Sequence, residues 1–286
     1  MRQILFIISV LSISIACHAQ ADSTAKSDST APEKSTLTLG VSYANNANYY
    51  GQKSQEKMAY VAVVGSYRHR SGFYLNGLAY RLLNDSNRLA SAYGVGAGYA
   101  FHLSKHLSVD LGYTYTFYPK LSPFLQAANP HMANITFTHS GWLTTTISGD
   151  YAFGKTNDAF ATFGLSKQVN LFSISSKDVV TLTPLIDVTG GTQRFYEYYT
   201  TEKKIRDSIL SLLSPIFGNP GSGTTTTVKT NTRFDLLSYS LKLPLAYNRA
   251  SYMIEASAQF SLLSNQAQSD PGKLNSFFTA SFYYQF

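Results

Sequence analysis

A single cysteine, Cys17, stands in the whole chain. One thiol makes no intrachain disulfide and no thiolate metal site, so the fold must be held by its backbone ladder and its packing. Long apolar runs are also missing: beyond the N-terminus no segment reaches the ~18 consecutive apolar residues that a transmembrane helix requires. The histidines follow no metal-ligand spacing. His102 and His106 are four apart, but a turn separates them, and His69 and His131 fall near strand ends or loops. No glycine-rich phosphate loop is present, because Gly94, Gly96 and Gly98 alternate inside a strand and open no helix. Neither metal nor cofactor is implied. The formal charge of +7 is mild and its cations are scattered, which speaks against nucleic acid as a partner.

What is present begins with a targeting signal. Arg2 supplies a positive start, and Ile4 to Ala16 (ILFIISVLSISIA) is a mostly apolar run too short to span a bilayer as a helix but suited to a signal-peptide core. Cleavage after Ala19 makes residues 1–19 the signal peptide and leaves a charge of +6, since +7 loses only Arg2. A lipoprotein signal cut before Cys17 is the alternative, which Ser14-Ile15-Ala16 fits poorly. Residues 20–35 (QADSTAKSDSTAPEKS) are polar and aperiodic and read as a flexible periplasmic leader.

From Leu37 to the last residue the hydrophobic pattern has period two, which is the mark of strands. In 89–103, Tyr93, Val95, Ala97, Tyr99, Phe101 and Leu103 share one face, while Ala92, Gly94, Gly96, Gly98 and Ala100 share the other. In 107–118, Leu107, Val109, Leu111, Tyr113, Tyr115 and Phe117 oppose Ser108, Asp110, Gly112, Thr114 and Thr116. Turn signals such as Arg70-Ser71-Gly72, Gly154-Lys155-Thr156-Asn157-Asp158 and Asn248-Arg249 separate the runs. The expected strands are 37–45, 57–69, 72–83, 89–103, 106–118, 132–139, 142–153, 159–173, 178–194, 232–247, 250–263 and 274–286. The lipid-side face of 58–69 and 72–83 is ambiguous.

An exported chain with 21 Tyr and 18 Phe must place that aromatic surface somewhere. Closed barrels are the non-helical way to cross lipid, because every backbone group is then paired within the protein. The small face carries Gly, Ser, Thr and Ala, where a water-facing strand would carry Lys, Glu and Thr. Three glycines on one face are costly in a solvated strand and sensible where interior space is short. The expected fold is therefore all-β: a closed antiparallel up-and-down transmembrane barrel over 36–286. Its even strand number is about twelve, with ten or fourteen also meeting the parity. Bulky residues would face outer-membrane lipid, and small polar ones the hollow.

On that topology Asp110, Asp150, Asp187, Lys242 and Glu255 face the interior, either as an internal ion-pair and hydrogen-bond network or as the lining of a polar solute path. Residues 196–231 break the pattern as a long external loop. Within it 202–213 (EKKIRDSILSLL) sets Ile205, Ile209, Leu212 and Leu213 at helical spacing, to pack on the rim or fold over the lumen. His139 adjoins Ser140, but neighbours on a strand point to opposite sides, so a rim histidine beside Trp142 outweighs a hydrolytic pair, and no catalytic residue is expected.

The final strand places Phe278, Ala280, Phe282, Tyr284 and Phe286 on one face and ends there. With the signal peptide, the polar leader and the alternating strands, this ending resembles the uncharacterised outer-membrane barrel proteins of Bacteroidota-type bacteria. The resemblance covers about 37–286 and carries no catalytic motif. It implies an outer-membrane location, the barrel fold, and recognition of the C-terminal strand ending in Phe286 by the barrel-assembly machinery. A small passive pore for polar solutes is the leading functional expectation. A closed structural or surface-interaction barrel presenting loop 196–231 is the alternative, and a lipid-modifying enzyme comes third.

Overall fold

A computed structural model of the chain describes residues 8–9, 12–13, 34–85, 89–204 and 233–286. Twelve antiparallel strands form a ring. They are β1 (Thr36–Ala44), β2 (Tyr60–Arg68), β3 (Phe73–Leu82), β4 (Ala92–His102), β5 (Leu107–Phe117), β6 (His131–Ser140) and β7 (Thr144–Phe153), then β8 (Asn157–Ser166, resuming at Val169–Phe172), β9 (Asp178–Leu182, resuming at Leu185–Gly191), β10 (Asp235–Arg249), β11 (Tyr252–Leu263) and β12 (Leu274–Gln285). Each pairs with its sequence neighbours, and β12 returns to β1 in a register running from Thr279↔Ala44 to Gln285↔Thr38. The sheet therefore closes on itself. Pro184 has no N–H for the ladder, and β9 breaks at Thr183–Pro184 opposite Pro244 of β10, where Thr183 N–H donates to the Pro244 carbonyl at 3.0 Å.

The connections sort by end. Residues 69–72, 103–106, 141–143, 173–177 and 250–251 are short turns at the end that holds both strand termini. The connections that follow β1, β3, β5, β9 and β11 are longer and leave from the other end, as does the tight 154–156 after β7. Short periplasmic turns and long external loops are the habit of outer-membrane barrels.

The alternation separates outside from inside as the residue types demand. Tyr99, Leu111 and Tyr113 are exposed on the outer surface, whereas Ser42, Ala92 and Thr116 are buried within. The outer surface carries two aromatic girdles. Externally, Tyr93 stacks on Phe117 (4.7 Å between centroids), His131 stacks on Phe153 (4.8 Å), and the Tyr113 hydroxyl meets His131 Nδ1 at 2.7 Å. At the periplasmic end Tyr252, Phe282, Tyr284 and Phe286 lie together, and Lys167 Nζ sits 3.9 Å from the centroid of the exposed Trp142 ring. A closed ladder with an apolar belt between two aromatic rings is a surface made for lipid, and this is an outer-membrane β-barrel. Ile147, 54% exposed near the middle of β7, is a belt residue. Ile147→Arg is expected to cost about 2–4 kcal/mol in the urea unfolding of vesicle-refolded protein. An unchanged midpoint would place this face away from lipid.

Several boundaries differ from the sequence expectation by up to three residues; the strands expected from 89 and 232 start at Ala92 and Asp235. The strand anticipated over 178–194 ends at Gly191, because Arg194 and Phe195 already begin a helix, described over 194–204. That helix starts before the 202–213 segment read as helical, and residues 205–213, with their apolar stripe, lie outside the described residues. The strand expected from 57 starts at Tyr60, since 57–59 belong to a loop that turns into the barrel.

Candidate functional site in the lumen

The external mouth is closed by residues that the strands hold in place. Loop 45–59 leaves β1 at Ala44 and folds inward to a tight turn in which Tyr49 and Gln52 exchange backbone hydrogen bonds of 2.8 and 3.0 Å. Its tip residues Tyr50 (φ 51°) and Gly51 (φ 83°) are both left-handed. That conformation is free for glycine and costs tyrosine about 1–2 kcal/mol. The strain is offset by contacts across the lumen: the Tyr50 ring stacks on Phe160 of β8 at 3.9 Å, and its hydroxyl donates to Asp150 of β7 at 2.9 Å. Ser238 of β10 donates to the Tyr50 carbonyl (2.9 Å), Asn275 of β12 to the Gly51 carbonyl (3.0 Å), and Asn48 to Gln259 of β11 (2.9 Å). The tip thus reaches strands on the far wall.

A second fastening point holds the helix at 194–204. The Asp158 carboxylate, in a residue 1% exposed at the top of β8, accepts the Arg194 and Phe195 backbone N–H groups at 2.8 and 2.9 Å, which caps the helix N-terminus. It also accepts from the Thr192 hydroxyl (2.6 Å), the Asn129 amide (2.7 Å) and the Thr156 hydroxyl (3.4 Å). One carboxylate joins three external loops. Tyr49, Phe160 and Phe195 meet edge-on or tilted in the packed space beneath.

Below this mouth the lining changes within one inward step per strand. On β4 to β8 the buried inward residues Gly94, Thr116, Met132, Asp150 and Phe160 give way to the half-buried Gly96, Thr114, Asn134, Ser148 and Thr162. On β10 to β12 Ser240, Gln259 and Phe277 give way to Lys242, Ser257 and Thr279 in the same manner. On these strands a half-buried polar layer therefore lies beneath a tightly packed mouth, and one step further down Thr136, Thr146, Gly164 and Ser281 are buried again.

The charged residues singled out in the sequence all face this interior, but with different company. Asp187 pairs with Lys242 at 3.2 Å. Asp110 accepts from the Tyr74 hydroxyl at 2.7 Å, and the Arg68 guanidinium lies 5.8 Å from the Tyr74 ring centroid. Asp150 sits at the border of the seal and receives Tyr50. Glu255 is half-buried near the periplasmic end of β11, between Ala246 and Ser281 on the flanking strands. The pairing register, invisible to the sequence, decides which of these meet.

Other important residues are hidden at the level of sequence. Asp158 reads there as part of a turn signal, though its place next to the strand start marks an inward position. Arg68 lies on β2, where Val61, Val63, Ala62 and Val64 give both faces the same apolar character. The Tyr49-Tyr50-Gly51 tip carries a turn signal in its glycine alone. His139 is exposed on the outer face at the periplasmic rim, its ring 6.3 Å from that of His106, in keeping with a rim role. Among the described residues no group of three His, Cys, Asp or Glu side chains is arranged to hold a metal.

No family model matches the chain, and no curated protein matches its sequence. Among solved structures it is similar in fold to the KdgM porin (TM-score 0.46, 8% identity, covering 88% of this chain and 99% of that one). It is similar also to the NanC porin (TM-score 0.45, 8% identity, 87% and 98%) and to an outer membrane channel from Pseudomonas putida F1 (TM-score 0.44, 11% identity, 91% and 100%). The likeness is one of barrel architecture.

Proposed function

We propose that this outer-membrane barrel is a narrow conduit for small polar solutes, held shut at its external end in the conformation described. The observation that supports this reading is the half-buried polar layer in the lumen, to which Thr114, Asn134, Ser148, Lys242, Ser257 and Thr279 belong, beneath the packed mouth. A purely structural barrel of this size gains more from filling its hollow throughout. The mouth is made of loops, the part of a barrel free to move, whereas the polar layer is made of wall. A closed barrel that presents its external loops to a partner is the second reading, favoured by the care with which Asp158 fixes the helix at 194–204. A lipid-modifying role finds little support, since His139 and Ser140 point to opposite sides of β6 and cannot pair with each other. The Bacteroidota-type resemblance rests on layout alone, and recognition of the last strand by the assembly machinery is part of this proposal.

The test is conductance in planar bilayers of the full chain and of a variant with 47–57 replaced by a short Gly-Ser linker. The shortened loop is expected to convert rare or absent openings into sustained discrete steps. Silence of both proteins across salts and voltages, with each migrating as a folded barrel, would favour the closed-barrel reading instead.

A further inference from the structure

We propose that the lower lumen is a site for small cations and cationic polar solutes, with Glu255 as its unshared anionic group. This deepens the conduit reading and rests on it where transport is concerned. From the edge of the seal downward the inward positions carry Asp110, Asp150, Asp187 and Glu255 against Arg68 and Lys242, an acidic excess in a chain whose overall charge is +7. The excess is not evenly shared. Asp187 is neutralised by Lys242, Asp110 is held by Tyr74 within the field of Arg68, and Asp150 receives the Tyr50 hydroxyl.

Glu255 differs. Among the described residues no hydrogen bond or ion pair reaches its carboxylate. Its cross-strand neighbours are Ala246 and Ser281, and the adjacent inward positions on its own strand are Met253 and Ser257. A carboxylate enclosed by a protein wall and left without a protein partner calls for a counter-ion or a solute that carries one. In a narrow lumen with low-dielectric walls a carboxylate without a counter-charge controls the potential close to it, because field lines are confined to the aqueous core. The arrangement provides ammonium or metal-cation character with a partner at Glu255 and hydroxyl partners at Ser257 and Thr279, whereas among the described residues of β10 to β12 the inward cation, Lys242, is already paired with Asp187.

The barrel itself contains no cysteine, so one introduced thiol reports alone. Ser257→Cys places it one inward position from Glu255. At pH 8, where a hydrated carboxylate is ionised, this thiol is expected to react about tenfold faster with a trimethylammonium-bearing thiol reagent than with a sulfonate-bearing one, after correction for their rates with a free thiol. Adding Glu255→Gln should bring the ratio to about unity, and Glu255→Asp should preserve the preference. Equal rates with Glu255 in place, or a preference for the sulfonate, would overturn the site. The shortened-loop channel in a KCl gradient supplies the transport half: its reversal potential should carry the sign of cation preference and move toward zero with Glu255→Gln. Conductance without cation preference would sink the site and leave the conduit. A barrel that never conducts would sink the conduit, while the thiol ratio still decides the site.

Discussion

Asp158→Ala is expected to release the external mouth while leaving the barrel wall intact. The wild-type carboxylate accepts two backbone N–H groups at the helix start and three side-chain donors from the surrounding loops. Removing it strands those backbone donors, the ones the carboxylate caps, in a buried position, at about 1–3 kcal/mol each. The bonds to Asn129 and Thr192 are lost with them. A local destabilisation of about 3–5 kcal/mol follows, confined to loops that the ladder does not need. Arg194, Lys203 and Lys204 then become tryptic sites in a protein that still resists unfolding. With fast reclosing the cleavage rate tracks the open population, so cleavage of the folded barrel should rise by at least roughly 100-fold. Asn at this position keeps one acceptor oxygen and turns the other into a donor facing donors, so Asp158→Asn should fall between the two. If trypsin cuts the alanine variant no faster than the wild type, Asp158 does not fasten the helix. If cleavage rises with no gain in conductance, the helix is fastened but does not seal the lumen.

The contrast between wall and mouth also explains what the sequence could convey. Strand identity was legible because the side-chain period is local: Tyr93, Val95 and Tyr99 against Gly94, Gly96 and Gly98 declares both the strand and its lipid face within a few residues. A count of about twelve strands and the inward direction of Asp110, Asp150, Asp187, Lys242 and Glu255 follow from that period together with the residue types on its two faces. Their partners do not. Tyr50 reaches Asp150 across 100 residues of sequence, and Asn48 reaches Gln259 across 211. These contacts exist only once the ring has closed, so no local pattern encodes them. The face of β2 was unreadable for a different reason: a run of small and β-branched apolar residues on both sides has no alternation to read, and Arg68 at its end went unplaced. The early helix start at Arg194 was hidden by a capping residue that belongs to another strand, Asp158, where a sequence search looks for a cap just ahead of the helix.

Gly98→Val is expected to destabilise the barrel more than its position in the middle of a strand suggests. Tyr74 on β3 must cross β4 to bring its hydroxyl to Asp110 on β5, and the row Tyr74↔Gly98↔Gly112 lies beneath its path. A Cβ built on Gly98 collides with the end of the Tyr74 ring and crowds the Leu111 carbonyl, and one on Gly112 meets Asn134 and the same Tyr74 hydroxyl. Two strands in register thus keep a channel of missing side chains so that one tyrosine can span them. This gives physical content to the glycine face that the sequence read as a shortage of interior space. Valine forces Tyr74 off its course, adding about 1–3 kcal/mol of overpacking to the loss of a hydrogen bond to a carboxylate worth about 1.5–3 kcal/mol. The expected loss is about 3–5 kcal/mol in the urea unfolding of vesicle-refolded protein, whereas Tyr74→Phe, which keeps the ring and removes only the hydroxyl, should cost about half as much. The decisive measurement is the double variant. Tyr74→Ala vacates the space that the introduced valine needs, so the two changes should be less than additive by about 2 kcal/mol. Strict additivity would mean that the glycine serves the ladder rather than the tyrosine, and that Asp110 is held in place by something other than this crossing.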